Sequence, residues 1–97
     1  MAAERLYIVA YDISSRDRWR RVHGIMKGYG HWLQLSVFQC RLTKRRKREM
    51  LGKLEKAIRN GEDHVLIMDI GPAETVDVCI ESLGRDWRKP ERRAIVI

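Results

Sequence analysis

The sequence predicts a split βαβ arrangement of the α+β class, in the order strand, helix, two strands, helix, strand. Three observations carry it. Two near-continuous apolar runs, Leu6 to Tyr11 and Val65 to Met68, have the length and residue types of strands. Two longer stretches repeat apolar residues at three- and four-residue spacing, as helices do. Between them, residues 31–42 alternate apolar with polar, as half-buried strands do.

The first run ends on an acid, Asp12, so a buried central strand carries a carboxylate to a place where it is fixed and still reaches solvent. Ser14-Ser15-Arg16-Asp17 has the Ser-x-x-Asp form of a helix start, with a capping hydroxyl and an acid at the positive end of the helix. A helix over Ser15 to Tyr29 follows. Trp19, Val22, Ile25, Met26 and Tyr29 form its core face, and Gly30 is expected in the left-handed conformation that stops it. From Leu33 the chain alternates with Gln34 and Ser36, then slips phase at Val37-Phe38. The slip predicts two short strands meeting at a bend or tight hairpin, the alternative being one bulged strand. Thr43 is placed to cap a second helix, Lys44 to Arg59, lined by Met50, Leu51, Leu54, Ala57 and Ile58 and ended by Asn60-Gly61. Asp63 to Gly71 is expected as another central strand, and Gly71-Pro72 as a turn. Val76, Val78 and Ile80 alternate with Asp77 and Cys79, which predicts a short edge strand. A basic linker from residue 85 leads to an apolar strand, Ala94 to Ile97, which needs a sheet edge of its own chain or of a partner. This order is that of a ferredoxin-like sandwich with an added C-terminal strand, a single domain over 1–97, and the fold hosts many activities.

Twenty Lys and Arg against thirteen Asp and Glu give a net charge of +7, which favours polyanionic partners, nucleic acid before anionic membrane. Every apolar stretch is far shorter than about 18 residues, and no signal peptide is seen before the first strand, so a cytoplasmic protein without membrane insertion is expected. Cys40 and Cys79 lack ligand spacing and read as ordinary thiols of a reducing compartment. A chain of 97 residues buries a modest share of its surface, so a homodimer that extends the core is expected.

The cations are clustered. Arg16, Arg18, Arg20 and Arg21 fall within six residues, and Lys44-Arg45-Arg46-Lys47-Arg48 opens the second helix at the end where the macrodipole disfavours positive charge. Phosphate contact accounts for both clusters; a solvated basic face and a frayed first turn are the bland alternatives. No Ser/His/Asp or Cys/His arrangement is present, and His23, His31 and His64 read as surface or boundary residues. That leaves carboxylates, of which Asp12 and Asp69 end apolar runs. A hard divalent cation is commonly held by one or two carboxylates plus waters and substrate phosphate, so one Asp12 is thin and two across a homodimer twofold are sufficient. A metal held there generates hydroxide for phosphodiester attack. The alternative for Asp12 is an acid that bonds backbone amides at the helix start, and Asp69 reads as structural.

Tyr7-Ile8-Val9-Ala10-Tyr11-Asp12-Ile13-Ser14 resembles the opening strand of the CRISPR-associated protein two family, small adaptation proteins that accompany the CRISPR integrase. Gln34-Leu35-Ser36-Val37-Phe38-Gln39-Cys40-Arg41-Leu42 resembles that family's second signature, Gln-x-Ser-Val-Phe. Length, basicity and element order agree over nearly the whole chain. The resemblance implies a homodimeric ferredoxin-like protein whose C-terminal strand packs on the partner. It implies CRISPR spacer acquisition, in which the dimer bridges integrase dimers and holds a short DNA duplex. It further implies a magnesium- (or manganese-) dependent endonuclease acting on single-stranded RNA or double-stranded DNA, with Asp12 as metal ligand and Tyr11, Arg21 and Phe38 implicated in activity. Arg16, Arg18, Arg20 and residues 44–48 are then the duplex-backbone contacts. A nucleic-acid-binding scaffold without catalysis is the alternative, and a ferredoxin-like small-molecule regulatory domain is disfavoured because it has no use for five consecutive cations.

Overall fold

Residues 3–88 are described by the computed structural model. The first apolar run lies in β1 (Arg5–Asp12), which is flanked on both sides in a four-stranded sheet. The other elements are α1 (Arg16–Lys27), β2 (His31–Gln34), β3 (Val37–Leu42), α2 (Lys44–Ala57) and β4 (His64–Pro72). The sheet order is β2-β3-β1-β4 with every neighbour antiparallel, which is the ferredoxin-like α+β sandwich. Residues 31–42 form a hairpin: Leu35 takes φ 41 at the turn, and the β2–β3 register shifts between Trp32 and Gln34.

Strand pleat divides β1 between two layers. Tyr7, Val9 and Tyr11 point into a core shared with Val22 and Met26 of α1, Phe38 and Cys40 of β3, and Met50 and Leu54 of α2, all buried. Side chains of this size contribute about 1.5–3 kcal/mol each when fully buried. Burial also pushes the Cys40 thiol up to about 12, so it stays protonated, while Cys79 is exposed. Both helices are capped by hydroxyls: Arg18 N–H donates to Ser15 Oγ at 3.3 Å and Arg46 N–H to Thr43 Oγ1 at 3.1 Å.

Four details differ from the sequence expectations. Helix α1 ends at Lys27, with Gly28 as its cap in an ordinary right-handed conformation, and Gly30 is not left-handed. Gly30 is required instead by close approach, since a Cβ there would lie 2.7 Å from the Gln39 carbonyl oxygen and closer still to Cys40 Sγ. Helix α2 stops at Ala57, and Gly61 takes φ 88 beyond it. Strand β4 pairs only with β1 among the described residues, so it is an edge rather than a central strand. Its apolar residues on the face away from the helices, Leu66, Met68 and Ile70, are 41–49% exposed. Residues 76–80 form no strand; Val76 N–H closes a turn onto Pro72, and Asp77 turns its carboxylate to its own Val78 N–H and to Arg41. The segment crosses the β2–β3–β1 part of the open face, where Val78, Ile80 and Trp87 line a cavity of about 350 Å³ together with Ile8, Leu33 and Val37. The C-terminal strand expected at Ala94 to Ile97, and most of its linker, lie outside the described residues.

Candidate metal and nucleic-acid site at the β1–α1 junction

The junction is built on an acid far away in sequence. Asp63, just before β4, accepts from Ser14 N–H (3.0 Å), Ser14 Oγ (3.1 Å) and Arg59 N–H (2.8 Å). It also accepts both arms of the Arg18 guanidinium, at 2.7 and 3.1 Å. The Arg18 pair, joined by the backbone and serine donors, holds this carboxyl well below the usual carboxylate range. The turn from β1 into α1 is thereby locked to the end of α2.

Asp12 stands beside this lock without belonging to it. It is the last residue of β1, exposed, and opposite His64 in the β1–β4 register. Strand alternation sends its side chain to the same open face as Leu66 and Met68. Its carboxylate is the donor type a hard divalent cation takes, and a single chain presents one such ligand here. No group of three or more His, Cys, Asp or Glu that could hold an ion occurs among the described residues.

Tyr11 points the other way. Its side chain is 6% exposed, and its hydroxyl lies 2.8 Å from His23 Nδ1. Burial pushes the Tyr11 phenol up to about 12, and burial together with nearby Lys27 lowers the His23 imidazole. Both groups are therefore neutral at pH 7, and the direction of the bond between them follows the imidazole tautomer. Trp19 stacks on His23 with centroids 4.6 Å apart, and its indole N–H donates to Ser36 Oγ at 2.8 Å. Tyr11 N–H in turn donates to the Ser36 carbonyl, so the β2–β3 turn is tied to both α1 and β1. Phe38 is wholly buried, 6.3 Å from Tyr11 and 5.3 Å from His23, and acts on its surroundings only by packing.

Tyr11 and Phe38 thus come together, with Asp12 next along the strand. Arg21 does not join them: at 3.6 residues per turn it lies about 160° around α1 from His23. Arg16 and Arg20, with Lys27, share the His23 side of the helix and are exposed. Arg18 is the structural partner of Asp63, with 17% of its side chain exposed. The cluster that opens α2 is divided. Arg46 lies 4.7 Å over the Tyr29 ring and donates to the Gly28 carbonyl, Lys47 lies 5.1 Å from the Tyr7 ring centroid, and Arg45 faces Glu49 at 3.7 Å. Lys44, Lys47 and Arg48 also join Arg5 around an open concavity of about 500 Å³. Asp69 is structural, since Arg5 Nε donates to both its oxygens at 3.0–3.1 Å.

His23 and Asp63 are the two residues that sequence reasoning missed. The one available signal for His23 was its four-residue spacing from Trp19, which stacks the two rings on a helix. Asp63 carried no local signal, because its partners Ser14 and Arg18 are 45–49 residues away.

A basic chain with this sandwich, an exposed acid at the end of the first strand and arginines on the following helix carries the charge that favours a polyanionic partner. The family model described as CRISPR associated protein Cas2 matches residues 5–78, and the chain belongs to that family. It is 54% identical over 95 residues to the CRISPR-associated endoribonuclease Cas2 1 of Rhodospirillum rubrum, covering 98% of this chain and 93% of that one. It is 47% identical over 94 residues to the CRISPR-associated endoribonuclease Cas2 of Geobacter sulfurreducens, covering 97% and 99%. Among solved structures, a hypothetical protein from Thermus thermophilus superposes with a TM-score of 0.74 at 33% identity, covering 91% of this chain and 99% of that one.

Proposed function

We propose that this chain acts in CRISPR spacer acquisition as a homodimer that bridges integrase dimers and holds the backbone of a short DNA duplex. We further propose that the dimer is a metal-dependent endonuclease on single-stranded RNA or double-stranded DNA, through its paired Asp12 carboxylates. The observation that carries the reading is the position of Asp12. It ends β1, exposed, at the rim of a sheet face whose apolar residues Leu66, Met68 and Ile70 are left half open. A second copy covering that face, with its twofold near this end of β1, brings a second Asp12 to the first. Two carboxylates plus substrate phosphate suit magnesium or manganese, which supplies a hydroxide nucleophile and neutralises charge on the phosphodiester. The names of the Rhodospirillum and Geobacter relatives support endoribonuclease activity.

Within the chain, Ser14, Arg18 and Asp63 fix the junction that orients Asp12. Phe38 and the Tyr11–His23 pair keep the strand end rigid from below. Arg16, Arg20, Lys44 and Arg48 supply phosphate contacts that do not read bases, with Arg21, Arg45, Arg46 and Lys47 adding to the field. Arg18 is committed to Asp63 and contributes mainly by position.

The test compares wild type with Asp12→Asn on labelled single-stranded RNA and duplex DNA, with and without magnesium, while duplex binding is followed across salt. Metal-dependent cleavage by wild type alone, with binding kept by both, is the expected result. Equal cleavage by both proteins removes Asp12 from chemistry, and cleavage by neither, with duplex binding kept, leaves the non-catalytic scaffold.

A further inference from the structure

Trp32 is out of keeping with its surroundings. It belongs to the edge strand β2, and the residue is 58% exposed although its indole is a large apolar group to leave in water. The ring is nonetheless fixed: Nε1–H donates to the Leu35 carbonyl at 2.9 Å, across the turn. Trp32 pairs with Phe38 in the β2–β3 register, so it lies on the helix side of the sheet. There it meets His23 edge to face, centroids 6.2 Å apart and planes at 82°. His23 is itself held by the Tyr11 hydroxyl and the Trp19 stack. The result is a rigid aromatic shelf at one corner of the molecule, with an indole standing out from it.

The same corner is cationic. Arg16, Arg20 and Lys27 fall within about 60° of His23 around α1, so they run along the helix beside the shelf. All three are exposed, and among the described residues only Arg20 of the three is in an ion pair, with Asp17 at 3.9 Å. An immobilised aromatic face next to a row of cations is the combination used to bind single strands, in which bases stack on rings and phosphates follow the charge. A duplex has no use for the ring, because its bases are already stacked and only its backbone is available.

We propose that Trp32, braced by His23 and Trp19, is a stacking site for an unpaired base of a single-stranded nucleic acid whose phosphates follow Arg16, Arg20 and Lys27. This rests on the nucleic-acid reading above and gives it a single-strand site separate from Asp12.

The experiment measures affinity at fixed salt for three labelled probes of equal length: a single-stranded pyrimidine oligonucleotide, the same sugar-phosphate strand with abasic positions, and a duplex. RNA and DNA versions of the single strand show which sugar is preferred. Trp32→Ala should weaken single-strand binding about tenfold, while Trp32→Phe retains most of it and abasic-strand and duplex binding shift by less than about twofold. Circular dichroism of both variants controls for folding. Equal losses on all three probes, or no loss on the single strand, overturn the stacking site, and an exposed ring kept for a protein partner gives the second pattern. A wild type that binds none of the probes overturns the nucleic-acid reading as well. Wild-type binding to all three that Trp32→Ala leaves unchanged overturns the stacking site alone.

Discussion

Tyr11 and His23 are joined by a 2.8 Å hydrogen bond between strand β1 and helix α1, on the helix side of the strand end that presents Asp12 on the other. The imidazole in this bond is neutral at pH 7. Burial first, and Lys27 second, lower the His23 pKa below its ordinary 6.5. The unfolded chain therefore binds this proton more readily than the folded one, and stability rises with pH across the interval between the folded and unfolded values. The contribution is complete above about pH 6.5 and is lost as pH falls toward the folded value. An NMR titration should give a His23 midpoint below 6.5. Tyr11→Phe should cost about 0.5–1.5 kcal/mol at pH 7, and a midpoint that Tyr11→Phe leaves unmoved would show that the hydroxyl does not hold the ring.

Asp63 gives the opposite case. Arg18, with backbone and serine donors, lowers its carboxyl well below the 3.8 of an ordinary aspartate, so its contribution is full above that value and is lost only as pH falls toward the folded pKa. Asp63→Asn keeps the shape but not the charge. It should lower the urea midpoint at pH 7, and the deficit should narrow toward pH 2. A deficit of equal size at both ends of the range would mean that packing, and not charge, holds the junction.

These two contacts also show what a sequence can reveal and where it stops. The strands and helices were legible because apolar spacing is local: Tyr7, Val9 and Tyr11 alternate, and Val22 and Met26 recur four apart. Thr43 was legible as a cap for the same reason. Asp12 was legible because an acid that closes an apolar run stands out. Asp63 was hidden because it is one polar residue among Asn60, Gly61 and Glu62, and its partners are set only when β4 pairs with β1. Gly30 was read as a helix stop because helices often end that way, whereas the packing of β3 decides it. Alternation at 76–80 promised a strand, yet the chain turns at Pro72 and crosses the sheet face instead of running along a free edge.

The glycines separate space from backbone freedom in a direct comparison. Gly30→Ala drives a methyl into the Gln39 carbonyl and Cys40 Sγ, and overpacking of that kind costs about 1–3 kcal/mol. Gly24 sits inside α1, and a methyl added there would meet nothing within 4 Å, so Gly24→Ala should stabilise the protein by about 0.4–1 kcal/mol. Chemical denaturation of the two variants should therefore shift in opposite directions. Equal shifts would mean that β3 moves aside and the close approach is not obligatory.

Strand β4 leaves Leu66, Met68 and Ile70 at 41–49% exposure on one sheet face, in line and unbroken by charge. Apolar surface of this kind is stabilised by about 25 cal/mol for each Å² removed from water, so a second copy gains by covering it. Because a twofold repeats every contact, Met68→Lys introduces its ammonium into the interface twice, once from each subunit. The dimer should weaken at least about thirtyfold, a loss of roughly 2 kcal/mol, while the core beneath the helices is untouched. Sedimentation across a concentration series reads the association. A thermal midpoint that rises with concentration in wild type but not in Met68→Lys reads its coupling to folding. If wild type stays monomeric throughout, or if Met68→Lys associates equally well, the open face is not the dimer surface and Asp12 has no twin at this rim.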